Sequence, residues 1–578
     1  MPIDTAVQSR FEQLSRYQKR RFLPEDARLT RAETVRFFFE KLMERAIHSC
    51  EELEQWLLDR SELEAALNQE GTILYIRMTC QTDDQALAKA YADFVENVMP
   101  VAKAFENDLN KKYVSLSERF ALDPKRYAVY IKGIQTDVEL FAQENISLEI
   151  QGELLAQEYQ TVCGAMTVDF GGKECTLPQM SKFLLEPDRN LREGAWRASA
   201  RRRLQDKGRL ESLFDRMTAL RNQMAHHAGY DGFCKYKFRA LHRFDYTPED
   251  CRKYHEAVEE GVVPLWEKIL ERRRRRMRLE KLRPWDMAVD PWGRPALKPF
   301  QEAAGLIQGC GKIFQQLDPE FGKQFSQIAR RGLLDLESHK GKAPGGYQST
   351  LYEARQPFIF MNAVGLDSDV YTLLHEAGHA FHVMACADDP IFPYRHGPME
   401  FNEVASMGME LLAGPYLSVF YNTQEQERSR WEHLEDVVFT LVWVAAIDAF
   451  QHWIYEHPGH TCEERQAAWV KTYRRFGGEL IDWSGLEEEM GFLWHRQLHI
   501  FEAPFYYIEY GIAQLGALQL WFNARQDLRT TLVCYKKALS LGGSRPLLEL
   551  YETAGIRFDF SRETMGPLMQ TVKKELDL

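Results

Sequence analysis

With 578 residues, the chain is too long for a single hydrophobic core and is expected to fold as two or three lobes. Its net charge of −12, from 73 basic and 85 acidic residues, argues against a nucleic-acid-binding protein and favours a soluble one. The ten cysteines are scattered without a C-x-x-C pair, which is typical of reduced thiols in the cytosol and not of a disulfide framework.

The sequence predicts neither a membrane span nor a secretory signal. The longest apolar run, Val437–Ile447, is about half as long as the ~20 residues that a membrane-spanning helix needs. The N-terminal residues MPIDTAVQSRFEQLSRYQKRRF contain no apolar stretch of the kind that a signal peptide requires. We therefore expect a cytoplasmic protein that does not bind a membrane.

The N-terminal part of the chain, from about residue 10 to residue 210, has the apolar spacing of successive amphipathic helices. Two short stretches rich in β-branched or apolar residues, Thr72–Met78 and Ile146–Ile150, are candidate strands within it. We predict an N-terminal helical lobe over residues 1–195 and a catalytic domain over residues 196–578, which contains the motifs described next.

A glycine-rich loop and a short apolar run follow in the second half of the chain. Gly341–Thr350 reads GKAPGGYQST, and Gln356–Val364 is an apolar run entered through a proline, which suits an edge strand or the first position of a strand. An unpaired strand edge would let an extended peptide dock by strand addition, and we name Phe360 and Asn362 as candidate substrate-binding residues. The alternative is a buried strand without a binding role.

The segment Tyr371–Phe381, YTLLHEAGHAF, contains the H-E-x-x-H pattern and predicts a metal site. Apolar residues recur at helical spacing around it, so His375 and His379 should lie on one face of a helix. Two imidazoles so placed can hold one Zn²⁺ at about 2.0–2.1 Å each, and Glu376 can take a proton from a zinc-bound water. The alternative is that the pattern occurs by chance on a surface helix. A third metal ligand is therefore needed to support the metal site.

The third ligand is expected to be a carboxylate on a second helix. The longer H-E-x-x-H-x-x-G-x-x-H pattern is excluded because its glycine and its third histidine are missing. A helix is predicted from Pro398 to near Gly414, and it carries the candidates Glu400, Glu403 and Glu410. Glu403 and Glu410 are seven residues apart and share a face, so periodicity does not choose between them.

Several motifs carry a family resemblance: PGGYQST at 344–350, PFIFMNAVG at 357–365, the HEAGH helix, NEVASMGMELL at 402–412, DAFQHWIYEHPGHT at 448–461, and RQLHIFEAPFYYIEYGIAQLGALQLW at 496–521. Shorter matches occur at LRPWD (282–286) and FDYTPED (244–250). In this order, the motifs resemble the oligoendopeptidase F branch of the thimet oligopeptidase family of zinc metallopeptidases.

The resemblance implies a mostly α fold, in which two helical lobes flank a deep substrate channel and a small β-sheet lies beside the zinc helix, as in zincins. It implies that Glu403, which opens the E-x-x-S pattern, is the third ligand of one Zn²⁺ per chain.

The resemblance also implies that a late segment leans over the metal, with His499, Tyr507 and Tyr510 stabilising the oxyanion. Tyr507 and Tyr510 are three residues apart and would share a helical face, whereas Tyr506 would point elsewhere and is named as substrate-binding. The alternative for this segment is an aromatic core stripe.

We therefore predict a zinc-dependent endopeptidase that hydrolyses internal bonds of short unstructured oligopeptides, with zinc-bound water as nucleophile and Glu376 as general base. Two alternatives remain. A carboxypeptidase-like zinc exopeptidase would need a cationic group that holds the substrate C-terminus. A non-catalytic zinc-stabilised peptide binder would favour a closed, cysteine-rich metal site. Oligopeptides are the expected partners, and the oligomeric state is left open.

Overall fold

The computed structural model describes residue 11 and residues 14–339, 342–343 and 345–578. The protein is mostly helical and contains small β-sheets, as predicted. Gly341 and Pro344 of the predicted glycine-rich loop lie outside the described residues. All ten cysteines are free thiols, as their scattered positions indicated.

The chain divides into two compact units, and each unit is assembled from three separate stretches. The first unit comprises Met1–Phe141, Pro299–Tyr421 and Gly516–Phe558. The second unit comprises Ala142–Lys298, Asn422–Leu515 and Asp559–Leu578. The predicted domain boundary after residue 195 divides the chain at a single point, whereas these two units alternate along the chain. The boundary between the two predicted domains remains a prediction.

The N-terminal stretch of the first unit is helical: α1 (Ala32–Glu44), α2 (Cys50–Cys80), α3 (Gln85–Asn97), α4 (Met99–Ser117) and α5 (Pro124–Leu140). Their apolar faces share one core, which also takes in Ile391 and Tyr394 from a later stretch. The candidate strand Thr72–Met78 is wrong, because this segment continues α2 and buries Ile76. Tertiary packing of the helix overrides its local β-propensity.

The second unit begins with a helix, a hairpin and further helices: α6 (Asn145–Gly164), β1 (Thr167–Phe170), β2 (Lys173–Thr176), α7 (Leu177–Met180), α8 (Arg189–Gln205), α9 (Lys207–His227), α10 (Phe233–Ala240), α11 (Pro248–Gly261) and α12 (Val263–Arg276). The candidate strand Ile146–Ile150 is wrong because it lies in α6. The hairpin occurs instead at β1–β2, where Gly171 and Gly172 adopt the positive φ angles that a two-residue turn requires.

The middle stretch of the first unit contains α13 (Ala303–Leu317), α14 (Pro319–Arg330), β3 (Leu334–Glu337), β4 (Tyr347–Leu351), β5 (Gln356–Ala363), α15 (Asp367–Ala385) and α16 (Met399–Ala413). The sheet has the order β3-β5-β4, with β5 parallel to β3 and antiparallel to β4. Of the two positions that the proline suited, the edge position is wrong, because β5 is the central strand and β4 lies at an edge of the described sheet. The proline lies at the start of the strand instead, as Pro357, the second residue of β5.

The remaining helices are α17 (Thr423–Glu456), α18 (Cys462–Tyr473), α19 (Glu487–Gly491), α20 (Leu498–Glu502), α21 (Ile508–Leu539), α22 (Leu547–Thr553) and α23 (Arg562–Glu575). Within the described residues, α17 has the length and apolar composition of a membrane span. However, 78% of its apolar 18-residue window is buried inside the protein, as in the core helix of a globular protein, so the feature is weak evidence for a span.

Candidate active site

The candidate active site is built on α15 and α16, which pack closely against each other. Asp369 holds the start of α15 because its carboxylate accepts three backbone N–H groups at 2.8–2.9 Å. Where the two helices approach, a Cβ on Gly378 would lie 2.5 Å from the Ala405 carbonyl oxygen and 2.6 Å from the Ser406 Cα. The glycine of the HEAGH motif therefore permits an approach that a larger residue would prevent.

Three side chains on these helices form a group that fits a metal ion. Glu403 Oε2 lies 3.4 Å from His375 Nε2 and 3.6 Å from His379 Nε2, and the three ligand atoms lie within 4.8 Å of one another. Two ligand atoms at 2.0–2.1 Å from one tetrahedral Zn²⁺ are roughly 3.3–3.4 Å apart. Ser406 Oγ donates to Glu403 Oε2 at 3.0 Å and fixes the carboxylate.

Glu410 occupies a different place from Glu403, although the two residues share a helical face. Its Oε1 lies 2.6 Å from His375 Nδ1, so it accepts that imidazole N–H and leaves Nε2 turned toward Glu403. Burial lowers the pKa of His375, but the hydrogen bonds to Glu403 and Glu410 raise it well above its usual value. Glu400, the third candidate, is buried and lies outside the group.

Glu376 has the environment of an acid–base group. Burial is the main cause that raises its pKa to about 7, and the negative charges of Glu403 and Glu410 add to this effect against the opposing charge of His375. A carboxyl group with a pKa near neutrality can both accept and release a proton at neutral pH.

The edge strand β4 lies near Glu376, since the Gln348 backbone N–H is close enough to lower the pKa of the Glu376 carboxyl against the larger effect of burial. The predicted substrate-binding residues of β5 have other contacts. Phe360 is fully buried and stacks on Tyr347 at 4.6 Å. Asn362 donates to the Ala343 and Gly345 carbonyls at 2.8 and 3.0 Å, so its side chain holds the glycine-rich loop.

The predicted aromatic residues belong to the second unit, where they surround His499. The ring centroids of Tyr506, Tyr507 and Tyr510 lie 5.6, 5.0 and 5.6 Å from that of His499. A continuous helix would have pointed Tyr506 away from the other two tyrosines. Its ring lies beside His499 instead, because α20 ends before Tyr506 and Phe505 has a positive φ of 65°. Burial raises the pKa of Tyr507 to about 12, which keeps its phenol protonated at neutral pH.

Two buried arginines that sequence reasoning missed hold this aromatic segment. Arg221 donates to the Ile500 carbonyl at 3.1 Å and also to the Phe501 carbonyl. Arg243 donates to the Phe505 carbonyl at 2.5 Å and to Glu509 at 2.7 Å. Both arginines precede their partners by more than 250 residues along the sequence, so no local sequence pattern predicts these contacts.

Family models match most of the chain. The model described as peptidase family M3 matches residues 183–566, and the model described as peptidase M3 N-terminal domain matches residues 26–141. The chain belongs to peptidase family M3. Every candidate site residue named above, from Phe360 to Tyr510, lies within the longer match.

Relatives of this family include proteins of the predicted branch. The chain is 24% identical over 308 residues to an oligoendopeptidase F homolog of Borreliella burgdorferi, covering 52% of this chain and 51% of the relative. It is 24% identical over 308 residues to oligopeptidase PepF of Bacillus subtilis, covering 51% of this chain and 44% of that one. The chain thus spans about half the length of these curated relatives.

A solved structure of PZ peptidase A with an inhibitor shares the fold. Its TM-score is 0.90 at 28% identity, and the match covers 96% of this chain and 99% of that one. The family matches and these relatives confirm the predicted oligoendopeptidase F branch of peptidase family M3.

Proposed function

We propose that this chain is a zinc-dependent endopeptidase that hydrolyses internal bonds of short unstructured oligopeptides. The observation that carries the proposal is the grouping of His375, His379 and Glu403, with the buried Glu376 on the same helix as the two histidines. The names of the relatives, an oligoendopeptidase F homolog and an oligopeptidase, support the substrate class.

His375, His379 and Glu403 would hold one Zn²⁺ per chain and leave a fourth position open, as catalytic zinc sites do. When bound, zinc supplies the Lewis acidity that activates a water molecule and polarises the peptide carbonyl. Glu410 acts through His375: by accepting a hydrogen bond from its Nδ1–H, Glu410 orients the imidazole and strengthens it as a ligand.

Glu376 carries the proton transfers in the proposed mechanism. It accepts a proton from the attacking water and then delivers that proton to the amine nitrogen as the peptide C–N bond breaks. We assign His499, Tyr507 and Tyr510 to stabilising the negative charge on the carbonyl oxygen, as the family resemblance implies. The phenol O–H groups and the imidazole N–H group of this segment can donate hydrogen bonds to that oxygen.

We infer that the substrate backbone pairs with the edge of β4. β4 is bonded to β5 on one side, and its Gln348 N–H reaches Glu376, so a peptide added to this edge would lie beside the proposed base. Phe360 and Asn362 then contribute to substrate binding indirectly, because they support β4 and the glycine-rich loop.

We also propose that Tyr506 contacts the substrate. The proposed location of the protein is the cytoplasm.

A library of mixed peptides with acetylated N-termini and amidated C-termini tests this proposal, with the products read by mass spectrometry. An endopeptidase cleaves these blocked peptides internally, and chelation abolishes the cleavage until Zn²⁺ is added back. Cleavage that requires a free C-terminus would instead show the carboxypeptidase-like alternative. Zinc-dependent binding of peptides without any product would show the non-catalytic binder.

A further inference from the structure

A second group of metal-ligating side chains lies in the second unit, where α11 and α17 face each other. Cys251 and His255 are four residues apart on α11, and Asp448 and His452 are four residues apart on α17, so each pair lies on one helical face. These four residues are buried, and none of them is more than 3% exposed. Paired side chains on facing helices are a common way to build a metal site in a helical core.

The distances within this group match a metal-binding arrangement. The ligand atoms of Cys251, Asp448 and His452 all lie within 4.8 Å of one another. His452 Nε2 lies 3.3 Å from Asp448 Oδ2, close to the roughly 3.3 Å that separates two ligands of a tetrahedral zinc ion. His255 Nε2 lies 2.8 Å from the same oxygen, and a shift of about half an ångström would bring it to ligand separation.

Two atoms of the group are buried without a hydrogen-bond partner among the described residues, namely Asp448 Oδ1 and His452 Nε2. Cys234 Sγ lies 3.8 Å from His452 Nδ1, so Nε2 is the nitrogen turned toward Asp448. Leaving the buried Asp448 Oδ1 without a hydrogen bond is costly, and a bound cation would satisfy this oxygen and replace the ion pair between His452 Nε2 and Asp448 Oδ2.

Aromatic rings pack against both histidines of the group, whose four residues are buried from solvent. The rings of Phe238 and Phe505 lie 6.2 and 5.2 Å from that of His452, and the rings of Tyr254 and Phe476 lie 6.2 and 6.3 Å from that of His255. A dry, closed surrounding distinguishes structural zinc sites from catalytic ones, which keep a position open to water or substrate.

We propose that Cys251, Asp448 and His452, completed by His255, bind a second Zn²⁺ that stabilises the second unit. Thiolate, carboxylate and imidazole are all zinc ligands, and a thiolate with a carboxylate neutralises the charge of the divalent ion inside the protein. None of the four residues is among the proposed catalytic zinc ligands His375, His379 and Glu403, which belong to the first unit. Asp448 and His452 come from the motif at 448–461, which the proposed mechanism does not use.

The competing arrangement is a metal-free ion pair between the Asp448 carboxylate and a protonated His452. This ion pair balances the negative charge of Asp448 with the positive charge of His452, and it leaves Cys251 as a neutral thiol. The two arrangements therefore differ in metal content and in whether Cys251 is deprotonated, and both differences are measurable.

Elemental analysis and cobalt substitution of the full chain test the proposal. We expect two Zn²⁺ per wild-type chain, and we expect the Co²⁺-substituted protein to show a thiolate-to-cobalt charge-transfer band in the near ultraviolet. The His375, His379 and Glu403 group contains no thiol, so it does not produce this band. One Zn²⁺ per chain together with no thiolate band would overturn the second site, and this measurement needs no variant.

Variants separate this site from the proposed active site. Cys251→Ser should lose one Zn²⁺ and the thiolate band, whereas His379→Ala should lose the other Zn²⁺ and keep the band. The matched control is Cys310→Ser, because Cys310 is a fully buried thiol of the first unit outside both metal-binding groups of the described residues. A band that survives Cys251→Ser, or that Cys310→Ser removes, would contradict the assignment.

Discussion

At the scale of single residues, the two glutamates Glu376 and Glu403 lie close together in different environments. Glu403 faces two imidazoles and accepts a hydrogen bond from Ser406, which holds its carboxylate in place as a proposed ligand. Glu376 is buried, and its pKa is raised to about 7. The different surroundings explain why one carboxylate is assigned to the metal and the other to proton transfer.

Glu376→Gln should keep the bound zinc and lose about 10²–10⁴-fold in kcat, because the attacking water loses its proton acceptor. The amide has nearly the same shape as the carboxylate, so folding should be unaffected. Zinc content and kcat on a blocked peptide are measured together. The control is Glu337→Gln on an exposed residue of β3, which should leave both unchanged. A kcat for Glu376→Gln within tenfold of wild type would rule out Glu376 as the base.

Glu403→Ala and Glu410→Ala should both weaken zinc binding, but to different extents. Loss of Glu403 removes a proposed ligand, whereas loss of Glu410 removes only the acceptor that orients His375, which is typically worth 10–100-fold in metal affinity. Competition with a zinc-binding dye measures both affinities. Glu403→Ala should be the weaker binder. If Glu410→Ala releases the metal and Glu403→Ala does not, the assignment of the third ligand is wrong.

At the scale of secondary-structure elements, the site depends on how closely α15 approaches α16 and on where β4 lies in the sheet. The histidines are on α15 and Glu403 is on α16, so the distance between the two helices sets the distance between the ligands. β4 is placed by its antiparallel pairing with the fully buried strand residues of β5.

Gly378→Ala should lower both the stability and the zinc affinity of the protein. The added Cβ would lie 2.5 Å from the Ala405 carbonyl oxygen, so α15 and α16 must move apart, at a cost of about 1–3 kcal/mol. Thermal unfolding and zinc titration measure the two effects.

Gly208→Ala is the matched control for Gly378→Ala. Gly208 is a helical glycine in α9, and its Cβ would meet nothing within 4 Å. Its stability should be unchanged or higher by up to about 1 kcal/mol, because alanine is the better helix former. An equal loss of stability and zinc affinity in the two variants would show that helix separation is not the cause.

At the scale of the whole molecule, the two compact units each contain residues from distant parts of the sequence. The candidate zinc ligands and β4 belong to the first unit, and the aromatic segment around His499 belongs to the second. The N-terminal helices share a core with Ile391 and Tyr394, so they are part of the unit that carries the zinc ligands.

Native globular proteins should be cleaved negligibly, whereas short unstructured peptides should be cleaved efficiently. A segment that pairs with β4 must be fully extended, and a folded substrate would have to unfold first, at about 5–15 kcal/mol. Rates on a short peptide, on a native globular protein and on a reduced casein-like chain are compared. The substrate channel implied by the resemblance predicts that the long unfolded chain is cut slowly. Internal cutting of that chain at the rate seen for short peptides would contradict the channel.

The sequence by itself determined the parts of the protein that depend on neighbours along the chain. The H-E-x-x-H spacing predicts a helix that carries both histidines, and the helix from Pro398 to near Gly414 is found as α16, because helical periodicity is set by residues three and four apart. The family resemblance then selected Glu403 from three carboxylates that periodicity could not separate. The mostly helical fold follows from the same local signals.

Only the tertiary structure decided which strand lies at the sheet edge, which atom Glu410 contacts, and what lies between α11 and α17. Strand order depends on pairing between segments, so the proline, which suited either an edge strand or the start of a strand, did not reveal that β3 and β4 flank β5. His255 and Asp448 are 193 residues apart along the chain and 2.8 Å apart in space. Contacts of this kind arise from packing of whole helices, and no local pattern contains them.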